Sequence, residues 1–474
     1  MQETRSLMDW LARAADALRG DMSVDSMQQL LLAAVFLRHI SDVPEDVAQG
    51  RPTWQGLVDE VGHCGQSKEV VRQALHAWSG DYGQLCLDLD DDPVLGELYS
   101  GGPRADQALR DLFAVLDRAS RELPMAELYE QCLARFSEDR TGGEYYTPRG
   151  VIRTMVELMA PAPGDEVYDP ACGSAGFLTE AARYVDAHHG PLLDHAGPAL
   201  RLFGQDVNAR TRRIAVMNLI LHGLDQEMGR GIGQGDSLAQ GSEVSEKHTV
   251  VLANPPFSMA WQDHGHGRFV PWRYGQPPKS KADFAWVQHV LGSLKPGGRA
   301  AILLANGASF RGGAERRIRA GLVQDDVLTA VVQLPPGLFS HTRIPACVWI
   351  FDRSKQSHAK NRVLFVDAQD AGAQVSRGRR ALTDEDVARI VDTFRNWSAG
   401  RESEEPGWCR TVTLNEIEAA DFDLQPARYV MPVVAEAAAG DDERRVRELT
   451  EDLYGYFAEA ARLEHELRAI LEAS

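Results

Sequence analysis

Apolar residues recur at helical spacing along the first part of the chain. The run Leu7–Leu18 and the later run Met27–Ile40 each place apolar side chains three or four positions apart, and Gly20 offers a stop between them. No alternation typical of a strand competes with this pattern. It predicts a helical N-terminal domain over residues 1–136.

After residue 136 the pattern changes to short apolar runs separated by helical segments. Such alternation is typical of an α/β domain with a parallel sheet. It predicts a doubly wound, seven-stranded, mostly parallel α/β sheet domain over residues 137–435. The seven predicted strands are Glu166–Asp169, Leu202–Asp206, Val250–Ala253, Ala300–Leu304, Val331–Leu334, Cys347–Phe351 and Val363–Val366.

Residues 436–474 carry a heptad pattern, which predicts one C-terminal helix. Two interpretations stay open, because the helix could pack back on its own domain or dock a partner subunit. Its apolar positions are Val446, Leu449, Leu453, Tyr456, Ala460, Leu463, Leu467 and Ile470.

The composition fits a globular protein and narrows the range of partners. The chain has 474 residues, of which 44% are hydrophobic and 25% are charged. Its longest unbroken apolar run, Leu30–Leu37, is far shorter than the ~20 residues that cross a bilayer, so no membrane partner is expected. The formal net charge of −19 would repel nucleic acid on average, so a DNA substrate would need local basic patches or a partner.

The cysteines and the N-terminus bear on the compartment. The 6 cysteines lie far apart without a C-x-x-C pair, which argues against a disulfide framework or a metal site. The first residues lack the basic start and apolar core of a secretory signal. These features predict a cytoplasmic protein.

A glycine-bearing turn follows the first predicted strand. In Asp169–Leu178 (DPACGSAGFL) the glycines would let the backbone approach a ligand, although a tight strand-to-helix corner explains the same residues equally well. The G-x-G-x-x-G and G-x-x-x-x-G-K-[ST] fingerprints are absent, which favours a nucleoside-type ligand without a pyrophosphate. Asp206, at the end of the next predicted strand, is placed either to hold ribose hydroxyls or to act as a cap.

The segment Ala253–Phe257 (ANPPF) directly follows an apolar strand. Because two prolines cannot continue a central strand, the chain must leave the sheet there in a rigid extended form. This puts the Asn254 amide and the Pro255 carbonyl at the carboxyl edge of the sheet, where open α/β sheets bind ligands. Two oxygen acceptors suit the two hydrogens of an exocyclic amino group, and Phe257 offers a flat surface for a base. A structural Pro-Pro turn is the alternative.

These residues carry a family resemblance. Asp169–Leu178 and Asn254–Phe257 resemble the cofactor loop and the catalytic N-P-P-[FY] motif of amino-group DNA methyltransferases that use S-adenosylmethionine. Gly143–Pro148 (GEYYTP) resembles the G-x-[FY]-[FY]-T-P element of the adenine-methylating subset. Thr147 suits a helix N-cap and Pro148 the first helical position. That helix would bury Val151, Ile152, Met155, Val156 and Met159.

Nearly the whole chain resembles modification subunits of type I restriction-modification systems, in the family's motif order. Ala175 stands where a glycine is more usual, and Asp206 where the family often has Glu. The further matching segments are Ala14–Gly20, Phe36–Asp42, Arg273–Pro278, Ala282–Phe284, Leu294–Gly298, Leu334–Phe339 and Asp423–Val430.

The resemblance implies a methyltransferase fold that transfers a methyl group from S-adenosylmethionine to the exocyclic amine of adenine in double-stranded DNA. Its implied partners are a DNA specificity subunit and a restriction endonuclease subunit, with two modification subunits per specificity subunit. The implied catalytic residues are Asn254, Pro255, Pro256 and Phe257. The implied cofactor-binding residues are Tyr146, Thr147, Pro148, Asp169, Gly173, Ser174, Gly176, Phe177, Asp206, Asp236 and Asn254.

Alternatives remain for one loop and for the function. The loop between Phe257 and Asp283 interleaves basic and aromatic residues, which suits either DNA contact with base capture or a solvated lid. Rival functions are a protein glutamine methyltransferase, since N-P-P-Y motifs also serve amide nitrogens, and a catalytically silent scaffold. The basic and aromatic residues of the loop are Trp261, Arg268, Phe269, Trp272, Arg273, Tyr274, Lys279 and Lys281.

Overall fold

The computed structural model describes most of the chain. Its residues are 24–63, 66–82, 103–138, 147–190, 200–224, 231–239, 247–261, 272–339, 344–376, 378–401, 403–430, 449–450, 454 and 462. The predicted run Leu7–Leu18, Tyr146, and nearly all of the predicted C-terminal helix lie outside these residues.

Helices make up the described N-terminal region, as the apolar spacing predicts. The helix over Val24–Ser41 confirms the run Met27–Ile40 and buries most of it. The helices of this region are α1 (Val24–Ser41), α2 (Glu45–Ala48), α3 (Trp54–His63), α4 (Ser67–Tyr82), α5 (Pro103–Ala119) and α6 (Met125–Glu138).

The remainder alternates helices with strands. The helices are α7 (Arg149–Met159), α8 (Gly176–His189), α9 (Ala209–Leu221), α10 (Asp283–Ser293), α11 (Ala314–Gln324), α12 (Asp384–Ser398), α13 (Leu414–Ala419) and α14 (Pro426–Tyr429). The strands are β1 (Glu166–Asp169), β2 (Arg201–Asp206), β3 (Ile232–Gln234), β4 (His248–Ala253), β5 (Leu294–Ala305), β6 (Leu328–Gln333), β7 (Ala346–Asp352), β8 (Arg362–Asp367), β9 (Ala373–Ser376), β10 (Arg379–Ala381) and β11 (Cys409–Thr413).

The central sheet of the described residues is larger than predicted. All seven predicted strands are present, but the sheet has nine strands in the order β11-β8-β6-β7-β5-β4-β1-β2-β3. The two unpredicted strands lie at its edges: β3 has three residues and buries only Ile232, and β11 buries only Cys409 and Val412, so neither has the continuous apolar run of a central parallel strand. The pair β9-β10 forms a separate hairpin.

The direction of the strands positions the site. β1 pairs in parallel with both β2 and β4, whereas β7 runs antiparallel between β5 and β6. The order of the chain reverses between β1 and β4, and ligands of doubly wound sheets bind beyond the carboxyl ends of strands at such a reversal. We therefore expect a site where Asp169 and Asn254 follow these strands.

Successive side chains of the central strands point into two hydrophobic clusters. Val250 and Leu252 of β4 join one cluster, while Val251 and Ala253 join the other. The first cluster also contains buried residues of α1 and of α3 to α6, so the helical region shares its core with one face of the sheet. Every helix within the described ranges is too short or too polar to cross a membrane.

Candidate active site

The turn after β1 brings backbone amides to the carboxyl edge of the sheet. Gly173 has a φ of +54°, which glycine adopts without steric cost, and its N–H donates to Asp206 Oδ2 at 3.2 Å. The Cys172 N–H donates to the Gln205 carbonyl at 3.0 Å. Ala175, at the start of α8, has a φ of +65°, so it adopts the left-handed conformation that favours the more usual glycine. The turn is thus fixed against β2.

A cleft of about 660 Å³ opens between this turn and the end of β4. It brings together seven of the predicted site residues: Thr147, Asp169, Gly173, Ser174, Gly176, Phe177 and Asn254. They come from three separate segments of the chain, so the predicted cofactor loop and catalytic turn face one space. Gly173 has open space where a side chain would be, which leaves its backbone accessible to a ligand.

Asn254 is held at the edge of this cleft by Thr147. Its side chain is 8% exposed, and Nδ2 donates a 2.7 Å hydrogen bond to Thr147 Oγ1. Within the described residues no donor is bonded to Asn254 Oδ1. The amide oxygen is therefore the group that Asn254 can offer to a ligand.

The predicted capping role of Thr147 is wrong. The helix α7 begins at Arg149, Pro148 occupies the cap position, and no side chain makes a capping hydrogen bond. Instead of capping the helix, the Thr147 hydroxyl accepts the hydrogen bond from the Asn254 amide. The predicted first helical position of Pro148 is wrong as well, because Pro148 precedes the helix as its cap residue. The predicted burial is confirmed for the five apolar residues Val151, Ile152, Met155, Val156 and Met159.

Asp206 lies before helix α9, whose N-cap is Asn208, and its role toward ribose hydroxyls stays a prediction. Its Oδ1 accepts from the Asn208 N–H at 2.8 Å, which starts α9, and its Oδ2 accepts from Gly173. A carboxylate has acceptor capacity for about four hydrogen bonds, so two sites remain for a ligand. The next residue, Val207, is 69% exposed.

Asp236 lies beside Asp206 at the same edge. The Gly235 N–H donates to the Asp206 carbonyl at 2.9 Å, which joins the turn after β3 to the end of β2. Asp236 is exposed, and its Oδ1 accepts from Leu238 at 2.8 Å. Neither Asp206 nor Asp236 lines the cleft itself, so they extend the site along the edge.

Asp169 gives the cleft its electrostatic character. The residue is 1% exposed, and burial, with the nearby Asp206 carboxylate, raises its pKa to about 8. Burial also raises the pKa of Asp206. Two acidic groups with raised pKa values in one region make a cationic group a favourable ligand, because its charge would stabilise both carboxylates.

The predicted catalytic turn is partly buried. Asn254 and Pro255 are buried, whereas Pro256 and Phe257 are partly exposed. The Phe257 ring meets Phe339 edge to face with centroids 5.6 Å apart. Phe339 belongs to the predicted segment Leu334–Phe339, so that segment supports the turn.

Within the described residues, the aromatic rings of the loop after the turn contact the protein itself. Trp261 is 7% exposed, donates to the Pro278 carbonyl and packs edge to face on Trp272. The Tyr274 hydroxyl donates to Asp325. The rings are therefore used within the protein, and Arg268 and Phe269 lie outside the described residues.

Polar and charged residues of the helices around the sheet complete the cleft, and sequence reasoning missed them. Glu130 of α6 and Arg183 of α8 both line it, and Arg183 Nη2 donates to Glu130 Oε1 at 2.6 Å. His222 Nε2 lies 3.2 Å from the same oxygen. Asn218 is 2% exposed and donates to the Ser174 carbonyl. Glu130, Arg183 and Asn218 are single polar residues on helices, and His222 directly follows one. No local sequence pattern indicates that they lie at the cleft.

Comparison with known proteins identifies the family of this chain. Residues 121–437 match the N-6 DNA methylase family. The chain belongs to that family. It is 36% identical over 350 residues to the HindI type I restriction enzyme methylase subunit of Haemophilus influenzae, covering 73% of this chain and 76% of the relative. It is 30% identical over 358 residues to the MjaIX methylase subunit of Methanocaldococcus jannaschii, covering 73% of this chain and 62% of the relative.

A solved structure agrees with this assignment. The type I restriction-modification methyltransferase subunit from Streptococcus thermophilus is similar with a TM-score of 0.75 and 26% identity, over 90% of this N-6 methylase and 99% of that chain. The resemblance to type I modification subunits is thereby confirmed. The protein is a DNA methyltransferase of the adenine-specific class.

Proposed function

We propose that the chain transfers a methyl group from S-adenosylmethionine to the exocyclic amine of adenine in double-stranded DNA, as the modification subunit of a cytoplasmic type I complex. One observation carries this proposal: Asn254 faces the same cleft as Gly173, with its amide nitrogen bonded to Thr147 and its oxygen unbonded among the described residues. The free acceptor suits an amine substrate, and the open glycine turn beside it suits a nucleoside cofactor.

The residues of the cleft fit S-adenosylmethionine. The buried Asp169 and the neighbouring Asp206 lack a cationic partner in the described residues, and the cofactor's ammonium group would supply one. We assign the ribose hydroxyls to Asp206, the adenine amine to Asp236 and the adenine face to the exposed Val207. When bound, the cofactor supplies an electrophilic methyl group on a sulfonium sulfur.

The catalytic turn orients the attacking amine. The two N–H groups of the amine donate to Asn254 Oδ1 and the Pro255 carbonyl. These hydrogen bonds draw the amine nitrogen toward a tetrahedral form with its lone pair facing the cleft. Thr147 keeps the amide of Asn254 in this orientation. The adenine must leave the duplex, which costs a few kcal/mol, and stacking on Phe257 returns about 1–3 kcal/mol. Catalysis is then mainly positioning.

Partners supply the choice of DNA sequence. The net charge of −19 leaves most phosphate contacts to other chains, and the named relatives are subunits of type I restriction enzymes. We therefore propose a separate DNA specificity subunit serving two modification subunits, and a restriction endonuclease subunit. The proposed domains are 1–136 (helical), 137–435 (methyltransferase) and 436–474 (partner docking). Deleting the residues after Gly440 is expected to abolish assembly with the specificity subunit.

The test is methyl transfer by the assembled complex with Asn254→Ala. We expect label from S-adenosylmethionine in DNA with the wild-type chain and loss of at least about a hundredfold in rate with the variant, because both acceptor geometry and positioning depend on this amide. The control Asn415→Ala changes an exposed asparagine on α13 and should keep the wild-type rate.

Other outcomes separate the rival functions. Label in a protein glutamine instead of DNA would make the chain a protein methyltransferase. Absence of label in both, with cofactor binding retained, would make it a scaffold. Wild-type rate with a folded Asn254→Ala chain would contradict the mechanism.

A further inference from the structure

The predicted segment Ala282–Phe284 does not line the cofactor cleft, yet its acidic residue is buried beside the catalytic turn. Asp283 is the first residue of α10 and is 2% exposed. A buried carboxylate is costly unless it is paired and hydrogen-bonded. The hydrogen-bond partners of Asp283 therefore indicate its structural role.

Asp283 joins the segments that follow two neighbouring strands. Its Oδ1 accepts from the Ser258 N–H at 2.9 Å, directly after the turn that ends β4. Its Oδ2 accepts from the guanidinium of Arg311, which lies beyond β5. Arg311 also donates through Nε to Glu315 Oε2 at 2.5 Å. Both strands end at the edge that carries the cleft.

The Ser258 backbone adopts a strained conformation. Its φ is +51°, in the left-handed region that costs a residue with a side chain about 1–2 kcal/mol. The next residue is fixed as well, since the Met259 carbonyl accepts from the Ala282 N–H at 2.8 Å. The chain thus turns sharply one residue after Phe257, against the start of α10.

We propose that Asp283 is a positioning residue for the catalytic turn. By accepting the Ser258 N–H it holds the left-handed bend, and the bend fixes the direction in which Pro255 and Phe257 present their carbonyl and ring. Arg311 neutralises the carboxylate and anchors it to the segment after β5. This inference rests on the proposed role of Asn254–Phe257.

Glu315 provides a matched control for a purely stabilising ion pair. It is 4% exposed and binds the same Arg311, but it has no contact with Ser258. A variant of Glu315 therefore weakens the same buried cluster without releasing the turn. If Asp283 acts only through stability, the two variants should behave alike.

The experiment compares Asp283→Asn and Glu315→Gln in the assembled complex. Whichever way the new amide turns, its NH₂ group faces either the Ser258 N–H or Arg311, so one donor loses its acceptor. We expect Asp283→Asn to lower kcat about 10- to 100-fold with KM for S-adenosylmethionine nearly unchanged. Glu315→Gln should lower the melting temperature to a similar extent and keep kcat within about twofold of wild type.

A second substitution tests the strained bend directly. Glycine adopts positive φ without steric cost, so Ser258→Gly should restore part of kcat in the Asp283→Asn background. A merely destabilised protein would not recover in this way. Equal losses of kcat in Asp283→Asn and Glu315→Gln, or no recovery with Ser258→Gly, would overturn the proposal.

Amide hydrogen exchange separates this proposal from the proposed function. The Ser258 amide should exchange faster in Asp283→Asn than in the wild-type complex, and Glu315→Gln should leave it protected. That result does not depend on which substrate is methylated. Unchanged exchange at Ser258 would refute the clamp even if the complex methylates adenine, whereas failure of DNA methylation with faster exchange would refute only the proposed function.

Discussion

The amide nitrogen of Asn254 donates a 2.7 Å hydrogen bond to the hydroxyl of Thr147, a residue 107 positions earlier in the chain. The bond joins the segment before α7 to the end of β4 across the cleft. Because the nitrogen of the amide is engaged, its oxygen is the atom left for a substrate. Thr147 therefore orients the residue that we propose as catalytic, in addition to its predicted contact with the cofactor.

The first prediction removes the hydroxyl of Thr147. Thr147→Val leaves the Asn254 NH₂ group without its acceptor, so the amide can rotate and present a donor to the substrate. We expect kcat to fall about tenfold or more, since an unsatisfied buried donor costs about 1–3 kcal/mol. Steady-state methylation by the assembled complex measures this change.

Thr147→Ser is the matched control, because serine keeps the hydroxyl and loses only a methyl group. It should retain most of the wild-type kcat. A rate for Thr147→Val equal to that of Thr147→Ser would show that the hydrogen bond does not orient Asn254.

The strands could be predicted from sequence because burial on both faces leaves a local signal. β6 and the first six residues of β7 are buried throughout, so these strands are mostly apolar. The edge strands β3 and β11 bury only one and two residues. Their sequences therefore lack a run of consecutive apolar residues.

The two turns that meet in the cleft, after β1 and after β4, could be singled out from sequence because each motif is contiguous. Thr147 illustrates what a local pattern cannot decide: a Thr-Pro pair before a helix suits a cap, but a distant Asn254 takes the hydroxyl instead. Glu130 reaches the cleft only through the packing of α6 on the sheet domain, where it pairs with Arg183 of α8. Tertiary contacts between remote segments leave no such spacing in the sequence.

The second prediction concerns the joint between the helical region and the sheet domain. Tyr129 of α6 is fully buried, and its hydroxyl donates to the Ile214 carbonyl of α9 at 3.1 Å. Tyr129→Phe should lower the free energy of unfolding by about 1 kcal/mol, the usual net contribution of one hydrogen bond. Chemical denaturation of the full chain measures it.

Tyr184→Phe serves as the control, because the Tyr184 hydroxyl only accepts an exposed hydrogen bond from Arg395. Its effect should be close to zero. An unchanged midpoint for Tyr129→Phe would mean that this contact does not stabilise the joint.

The third prediction is a pH dependence of stability. His289 is 3% exposed and lies near Tyr168, Trp286 and His248, and neither of its ring nitrogens has a hydrogen-bond partner among the described residues. Burial, with a smaller effect of His248, lowers its pKa to about 4 from an ordinary value of 6.5. Between about pH 4 and pH 6.5, His289 is therefore neutral in the folded chain and protonated in the unfolded chain. Stability from this residue is present above pH 6.5 and is lost as the pH falls toward 4.

The variant His289→Leu isolates this effect from other titrating groups. Between neutral pH and pH 5 the wild-type chain should lose about 2 kcal/mol more than the variant, because only the wild-type unfolded state gains that proton. Denaturation curves of both proteins across this range provide the measurement. Parallel pH profiles would contradict the assignment.

The fourth prediction tests Asp206 as a cofactor ligand. Asp206→Asn keeps the shape but has only one oxygen, so it cannot accept from both Gly173 and Asn208 as the carboxylate does. The loop after β1 would lose its anchor, and the proposed ribose contact would weaken. We expect affinity for S-adenosylmethionine to fall about tenfold or more, equivalent to about 1.4 kcal/mol. Because Asp206 is proposed to contact the cofactor and not DNA, KM for DNA should change little. Asp392→Asn, an exposed position on α12, should bind the cofactor as the wild type does, and calorimetry that finds equal affinity for both variants would remove Asp206 from the site.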